Sequence, residues 1–187
     1  MPERSDEPAW RIVDSEIVIE TPHLRLRRDD IVLPGGERIA NYYVRESRGF
    51  AVIFAQTPDD RVLLVRQYKH GIGRAVLELP AGAIDPGETP LDCATRELAE
   101  ETGYRSPAQL EAVATYVTDP TNSDARFHLF HARQVQVAGR QELDITEDIA
   151  VQLAGLDELR AFVRDGAIEV SSHVAAVYVM LDRLGHL

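Results

Sequence analysis

The chain has 187 residues, of which 44% are hydrophobic and 27% are charged, and its formal net charge is −11. This length allows one domain with a sizeable core, or a domain with a small appendage. The acidic balance excludes a protein that coats nucleic acid through a basic face. No apolar run approaches the roughly 20 residues that cross a bilayer, so no membrane association is expected.

The N-terminal end predicts no targeting segment. Residues 1–9 are predicted to be a disordered tail, and the polar first ten residues lack the apolar stretch of a signal peptide. The single cysteine, Cys93, excludes an internal disulfide and fits a reducing compartment. We therefore expect a cytoplasmic protein.

Residues 10–47 are predicted to form a small antiparallel sheet. Alternating apolar and polar residues at 12–20, 23–28 and 30–44 indicate two or three strands, joined by Thr-Pro and Pro-Gly-Gly turns. So small a sheet cannot bury its own apolar face. We expect it to pack against the main domain or against a second subunit.

Residues 48–187 are predicted to form the main domain, of the α/β class. Strands are expected at 49–56, 61–68, 75–82, 110–117 and 126–136, and helices at 156–165 and 171–184. In the last helix the predicted core-facing residues are Val174, Val177, Tyr178 and Leu181.

A further helix is predicted between Thr89 and Gly103. Thr89 suits the N-cap position, Pro90 the first helical position, and Asp92 follows the cap by three residues. Gly103 suits the left-handed residue that ends a helix. The expected core-facing residues are Leu91, Ala94, Leu98 and Thr102, with Cys93 nearby.

Three acidic residues share one face of this helix. Glu97, Glu100 and Glu101 stand at positions i, i+3 and i+4, where like charges destabilise a helix by roughly 0.2–0.5 kcal/mol per pair. A divalent cation would reverse that effect. Clustered carboxylates suit Mg²⁺ or Mn²⁺, whereas zinc prefers Cys and His. Arg96 could orient one of these acids as a partner of a metal ligand. The alternative interpretation of the three acids is a solvated helix face without a metal.

The segment around this helix matches a long fixed pattern. It fits G-x5-E-x7-R-E-U-x-E-E-x-G-U (U aliphatic) from Gly82 to Gly103, and only Tyr104 departs at the last position. Seven fixed positions match by chance roughly once in 10⁹ starting points. The chain thus resembles the Nudix hydrolases. The resemblance implies an α/β/α sandwich with a mixed central sheet, and metal-dependent cleavage of a nucleoside diphosphate linked to another group.

Three further features resemble the ADP-ribose and ADP-sugar pyrophosphatases of that family. Pro120 follows Tyr104 by 16 residues, ELPAG occupies 78–82, and RQYK occupies 66–69. The N-terminal strands are similar to the region through which this subfamily forms homodimers. One departure concerns Ala125, which stands where a glutamate is usual; Asp124 is one residue away.

The resemblance also implies roles for individual residues. Metal ligands would be the Ala81 carbonyl with Glu97, Glu100 and Glu101, and the metal would be Mg²⁺ or Mn²⁺. The general base would be a loop glutamate, for which Glu147 is the candidate and Asp148 and Glu142 are alternatives. Substrate contacts would come from Lys69 and Arg66 at phosphates, from His23 and Arg45 at the base, and from Asp124 at the sugar. ADP-ribose would yield AMP and ribose 5-phosphate.

Other functions remain open at this stage. GDP-mannose or another nucleoside diphosphate sugar would use the same centre. A triphosphate or RNA-cap hydrolase fits Pro120 and the extra strands less well. A non-catalytic sensor of the same fold would be expected to lose the metal-binding acids. His128 and His131 are interpreted as structural or surface residues, because three-residue spacing places them on opposite faces of a strand.

Overall fold

The computed structural model describes residues 10–187, so the predicted disordered tail 1–9 lies outside the described residues. The described chain divides into two compact units. The first ends at Ser47 and also contains Val117–Ala125, and the second contains Arg48–Tyr116 and Arg126–Leu187. None of the helices in residues 10–187 is both long and apolar enough to cross a membrane.

The first unit is built on a three-stranded antiparallel sheet. Its strands are β1 (Arg11–Glu20), β2 (Arg25–Val32) and β3 (Arg38–Glu46), in the order β1-β2-β3. The loop from Val117 to Ala125 joins this unit through a backbone hydrogen bond of 2.8 Å from Arg45 N to Asn122 O. The predicted strands are thus present.

The second unit contains the remaining strands and the helices. Its strands are β4 (Phe50–Ala55), β5 (Val62–Lys69), β6 (Arg74–Glu78), β7 (Ala81–Ala83), β8 (Tyr104–Arg105), β9 (Glu111–Val117), β10 (Arg126–Ala132), β11 (Gln136–Val137) and β12 (Ile149–Ala154). They form sheets in the orders β7-β4-β10-β9, β12-β5-β6 and β11-β8. Because β4 pairs parallel with β10 and antiparallel with β7, the first of these sheets is mixed.

Alternation along β4 separates two hydrophobic cores. Ala51 and Ile53 face the core that contains Leu98 of helix α1 (Pro90–Thr102). Val52 and Phe54 face the core formed with α2 (Leu156–Arg164) and α3 (Ser171–Arg183). Successive strand residues point to opposite faces, so one strand serves both cores. The predicted α/β class and layered architecture are confirmed.

Two local predictions were wrong. Residues 149–154 form strand β12 paired with β5, whereas the sequence predicted no strand after the loop that carries Glu147. Tyr178 is 40% exposed instead of core-facing. The buried residues of α3 are Ser172, His173, Ala176, Val177, Met180 and Leu181. Except for Ser172, these residues follow the helical spacing i, i+3, i+4, i+7 and i+8 from His173, so the buried stripe begins one residue before the predicted Val174.

Candidate active site

Helix α1 starts and ends as its sequence predicts. The Thr89 side chain accepts a hydrogen bond from Asp92 N at 3.2 Å, and Pro90 is the first helical residue. Gly103 adopts a φ of 73°, in the left-handed region, and donates its N–H to Ala99 O. Only glycine enters this region without a steric cost. The two caps therefore fix which residues of α1 face strand β7.

Two acids of α1 lie against β7. Ala81 N donates a hydrogen bond of 2.9 Å to Glu101 Oε2. A Cβ added to Gly82 would lie only 1.9 Å from Glu97 Cδ, so a glycine is required for the Glu97 carboxylate to approach the strand. Glu97 is 8% exposed and Glu101 is 2% exposed. This packing brings two carboxylates together in a largely desolvated place.

Burial raises the pKa of both carboxyl groups. The pKa of Glu101 rises to about 8, mainly through desolvation, with a further rise from the charges of Glu97 and Glu147. The pKa of Glu97 also rises, again chiefly through desolvation, and the Arg96 guanidinium opposes that rise. A carboxyl pKa raised by burial means that the ionised form is less stable there than in water, and a cation close by would stabilise it. Both groups are suited to an added cation.

Arg96 organises the acids around it. Its guanidinium donates to Glu97 Oε1 at 2.6 Å, to Glu100 Oε2 at 3.0 Å and to Glu88 at 2.9 Å through both Nε and Nη2. This contact lowers the pKa of Glu88 to about 2. The sequence placed Arg96 beside Glu97 but did not predict its pair of hydrogen bonds to Glu88, although Glu88 is a fixed position of the matched pattern.

The donor chemistry fits a hard divalent cation. In the described part of the chain, no three His, Cys, Asp or Glu side chains already stand in metal-binding geometry. Glu100 instead faces Arg96, together with one oxygen of Glu97. Yet the groups that converge on β7 are carboxyl oxygens, which Mg²⁺ and Mn²⁺ prefer, and their raised pKa values indicate that burial disfavours their ionised forms when no cation is bound.

Strand β5 contributes polar side chains from one of its faces. Gln67 Nε2 lies 3.5 Å from Glu101 Oε1, a contact that sequence reasoning missed. Lys69, on the same face, forms an ion pair of 2.9 Å with Glu78 Oε2, and its charge lowers the pKa of Glu101. Arg66 is exposed on the opposite face of β5. The two predicted phosphate contacts are therefore not brought together.

The loop before β12 is tied to the end of α1. Gln141 Nε2 donates to Glu101 O at 2.6 Å, and Glu142 N donates to Glu100 O at 2.9 Å. Glu147 is half-buried, accepts a hydrogen bond from Asp144 N at 3.0 Å, and raises the pKa of both Glu97 and Glu101 by its charge. The alternatives Glu142 and Asp148 are exposed. Of the three loop acids, Glu147 is the one whose charge acts on both buried acids.

Three predicted substrate contacts belong to the first unit. His23 is exposed in the β1–β2 turn, and Arg45 is exposed at the same end of the sheet. Asp124 Oδ1 accepts a hydrogen bond of 2.7 Å from Ser47 N. One oxygen of Asp124 therefore has a local structural role.

Comparison with known proteins gives consistent matches. A family model described as NUDIX domain matches residues 46–174, and one described as nucleoside diphosphate sugar hydrolase N-terminal domain matches residues 10–44. A "Methanol dehydrogenase activator" of Bacillus methanolicus is 31% identical, over 92% of this chain and 93% of its own length. An "ADP-ribose pyrophosphatase" of Bacillus subtilis is 30% identical, over 82% and 83%. The crystal structure of an ADP compounds hydrolase shares the fold with a TM-score of 0.81, at 20% identity and over 96% and 98% of the two chains.

Proposed function

Since this chain belongs to the Nudix family, we propose that it hydrolyses the diphosphate of a nucleoside diphosphate sugar, and that ADP-ribose yields AMP and ribose 5-phosphate. The observation that carries the proposal is the packing of Glu97 and Glu101 against the Ala81–Gly82 backbone. The match of residues 10–44 to the N-terminal domain of nucleoside diphosphate sugar hydrolases supports this substrate class. The relative named ADP-ribose pyrophosphatase supports the choice of sugar.

Each site residue then has a defined task. Glu97, Glu101 and the Ala81 carbonyl would hold Mg²⁺ or Mn²⁺, with Glu100 as a further ligand once it leaves Arg96. A bound divalent cation supplies Lewis-acid polarisation of the phosphoryl oxygens and neutralises charge. Arg96 keeps Glu97 oriented, as partners of metal ligands do. Lys69 contacts a phosphate of the substrate. Water attacks one phosphorus in line, and the bond to the bridging oxygen breaks.

The attacking water must lose a proton, and Glu147 is proposed to accept it. We expect Glu147→Gln to lower kcat by about 10²–10⁴-fold with little change in KM, because general base catalysis contributes that much. Steady-state rates with ADP-ribose and Mg²⁺ measure the effect. Glu142→Gln and Asp148→Asn are matched controls on the same loop. If Glu147→Gln is as active as these controls, a group other than Glu147 accepts the proton of the attacking water.

The substrate class is tested with a panel of ADP-ribose, GDP-mannose, other nucleoside diphosphate sugars and dinucleotides, each assayed with Mg²⁺ and with Mn²⁺. We expect ADP-ribose to have the highest kcat/KM and to give AMP. Reaction in ¹⁸O-labelled water identifies the attacked phosphorus by the product that carries the label. Tight binding of these compounds without any turnover would overturn the enzyme proposal and favour a ligand sensor.

We also propose that the first unit forms a homodimer interface. Its sheet exposes large apolar side chains, namely Trp10, Ile12, Val13, Val18, Ile19, Ile39 and Tyr43. This number of exposed large apolar side chains on one small sheet indicates an interaction surface. The subfamily resemblance supports a second copy of this chain as the partner that covers these side chains. We also propose a cytoplasmic location.

Light scattering after size exclusion tests the dimer. We expect twice the chain mass of 20.9 kDa for the wild type and a shift toward monomer for Ile19→Glu. Ile72→Glu is the matched control, because Ile72 is also exposed but lies in the second unit. A wild-type monomer at micromolar concentration contradicts the proposal.

A further inference from the structure

Glu78 and His173 are buried next to Lys69, and neither has a role in the proposed reaction. Glu78 is 2% exposed and His173 is 4% exposed. Glu78 Oε2 lies 2.9 Å from Lys69 Nζ, and Glu78 Oε1 lies 3.4 Å from His173 Nε2. Oε2 thus faces the ammonium and Oε1 faces the imidazole, and the contact at Oε2 is an ion pair without hydrogen-bond geometry. Burial of a charged group without such partners would be costly.

The polar contacts of His173 define its tautomer. Leu79 N donates to His173 Nδ1 at 3.2 Å, so Nδ1 carries a lone pair. The neutral ring then carries its proton on Nε2, the nitrogen that faces Glu78. Desolvation lowers the pKa of His173 to about 3, which keeps the ring neutral near pH 7. The Nε2–H group of His173 therefore faces Glu78 Oε1, at a distance of 3.4 Å between the two heavy atoms.

Lys69 is the solvent-exposed member of the group formed by His173, Glu78 and Lys69. Its side chain is partly exposed, and its charge lowers the pKa of Glu101. It is also the only lysine in the sequence, whose other non-histidine basic residues are all arginines. An arginine can bind a carboxylate with both arms of its fork. The three donors of an ammonium can instead be divided between Glu78 and a second anion.

We propose that His173 is a positioning residue: it fixes Glu78, and Glu78 holds the Lys69 ammonium where the diphosphate of the substrate binds. This inference rests on the proposed function. Lys69 has a long flexible stem, and ordering such a side chain costs free energy each time substrate binds. A Glu78 carboxylate fixed from behind removes part of that cost in advance. The consequence is tighter substrate binding.

Two substitutions separate the contact of His173 with Leu79 N from its contact with Glu78. His173→Asn can keep an acceptor near Nδ1 for Leu79 N, but its side chain is too short to reach Glu78. His173→Gln can keep a donor near Nε2 and loses the acceptor. We expect His173→Asn to raise the KM for ADP-ribose about tenfold with kcat within twofold, since one polar contact with a charged group is lost. His173→Gln should stay within about twofold of wild type in both constants.

A double-mutant cycle shows whether the effect passes through Lys69. We expect Lys69→Met to raise KM, and adding His173→Asn to that enzyme to change KM by less than twofold. A merely structural histidine predicts the opposite pattern. In that case His173→Gln would be impaired as much as His173→Asn, and the effect of His173→Asn would persist after Lys69→Met. Either result overturns the proposal.

A spectroscopic readout separates this proposal from the assignment of the reaction. Protein labelled with ¹³C-lysine contains a single Cε resonance, from Lys69. We expect this resonance to move in His173→Asn and to stay in place in His173→Gln, whether or not the wild type hydrolyses ADP-ribose. An unmoved resonance in a folded His173→Asn protein rejects the positioning role. If that variant does not fold, long-range ¹H–¹⁵N spectra of the wild type decide: an unprotonated Nε2 contradicts the proposal, and a protonated Nε2 supports it.

Discussion

Replacing Glu101 by glutamine is expected to lower kcat at least about 100-fold without destabilising the metal-free protein. Even residues that only support metal ligands cost 10–100-fold in affinity or activity when mutated, and Glu101 is proposed to be a ligand itself. Glutamine has nearly the same volume and can still accept the hydrogen bond from Ala81 N. What the substitution removes is the ability of this buried group to ionise and bind a cation. Steady-state rates at saturating Mg²⁺ measure the loss.

The same substitution is expected to change how stability depends on pH. The folded state raises the pKa of Glu101 to about 8, above the value near 4.3 of an unfolded chain, so the folded state binds this proton more tightly. The stabilising effect of that proton is complete below about pH 4.3 and is lost as the pH rises through 8. Between these values the free energy of unfolding falls by at most about 1.4 kcal/mol per pH unit on account of Glu101. Glu101→Gln removes this contribution.

Urea unfolding of the metal-free wild type and of Glu101→Gln between pH 5 and 9 measures this pH dependence and its removal. Glu37→Gln is the control, because Glu37 is exposed in the turn between β2 and β3 and its substitution makes the same chemical change. Added Mg²⁺ should raise the melting temperature of wild type and of Glu37→Gln but not of Glu101→Gln, since a ligand stabilises only the state that binds it. A Glu101→Gln protein that keeps wild-type activity would remove Glu101 from the site.

The parts of the fold that the sequence predicted are those with a local physical cause. The caps at Thr89 and Gly103 involve residues within three or four positions of each other, and the structure confirms both. Helical spacing alone places Glu97 and Glu101 on one face. The alternation that divides the two cores along β4 is likewise a property of neighbouring residues. The resemblance then supplied the layered architecture, which no local signal contains.

The features that escaped prediction depend on tertiary contacts. His173 follows Glu78 by 95 positions, and only the packing of α3 against the other elements brings them together. Gln67 and Glu101 lie 34 positions apart in the sequence, and only the tertiary fold brings their side chains within 3.5 Å. Strand β12 exposes its alternate residues and contains Gln152, so its apolar pattern is weak. Its pairing with β5 decides its conformation, in agreement with the context dependence of strand propensity.

Replacing Gly82 by alanine is expected to lower kcat/KM at least about 100-fold. The added Cβ would lie 1.9 Å from both Cδ and Oε1 of Glu97, far inside contact distance. Glu97 must then move, and its hydrogen bond to Arg96 must lengthen or break. A displacement of about 1 Å at a reacting centre can cost 10²-fold in rate. Steady-state kinetics with ADP-ribose and a titration of Mg²⁺ measure both the rate and the apparent metal affinity.

Glycine 71 provides the matched control for this prediction. A Cβ at Gly71 meets no atom within 4 Å, and the residue lies in an exposed helical turn, so Gly71→Ala should leave kcat/KM within about twofold. Gly82→Ala should remain folded, because overpacking typically costs 1–3 kcal/mol and most domains retain more than that. Circular dichroism and the urea midpoint establish that the protein is folded. Equal activity of the two alanine variants would mean that Glu97 does not need its place against β7, and the carboxylate pair would lose its role as the centre of the site.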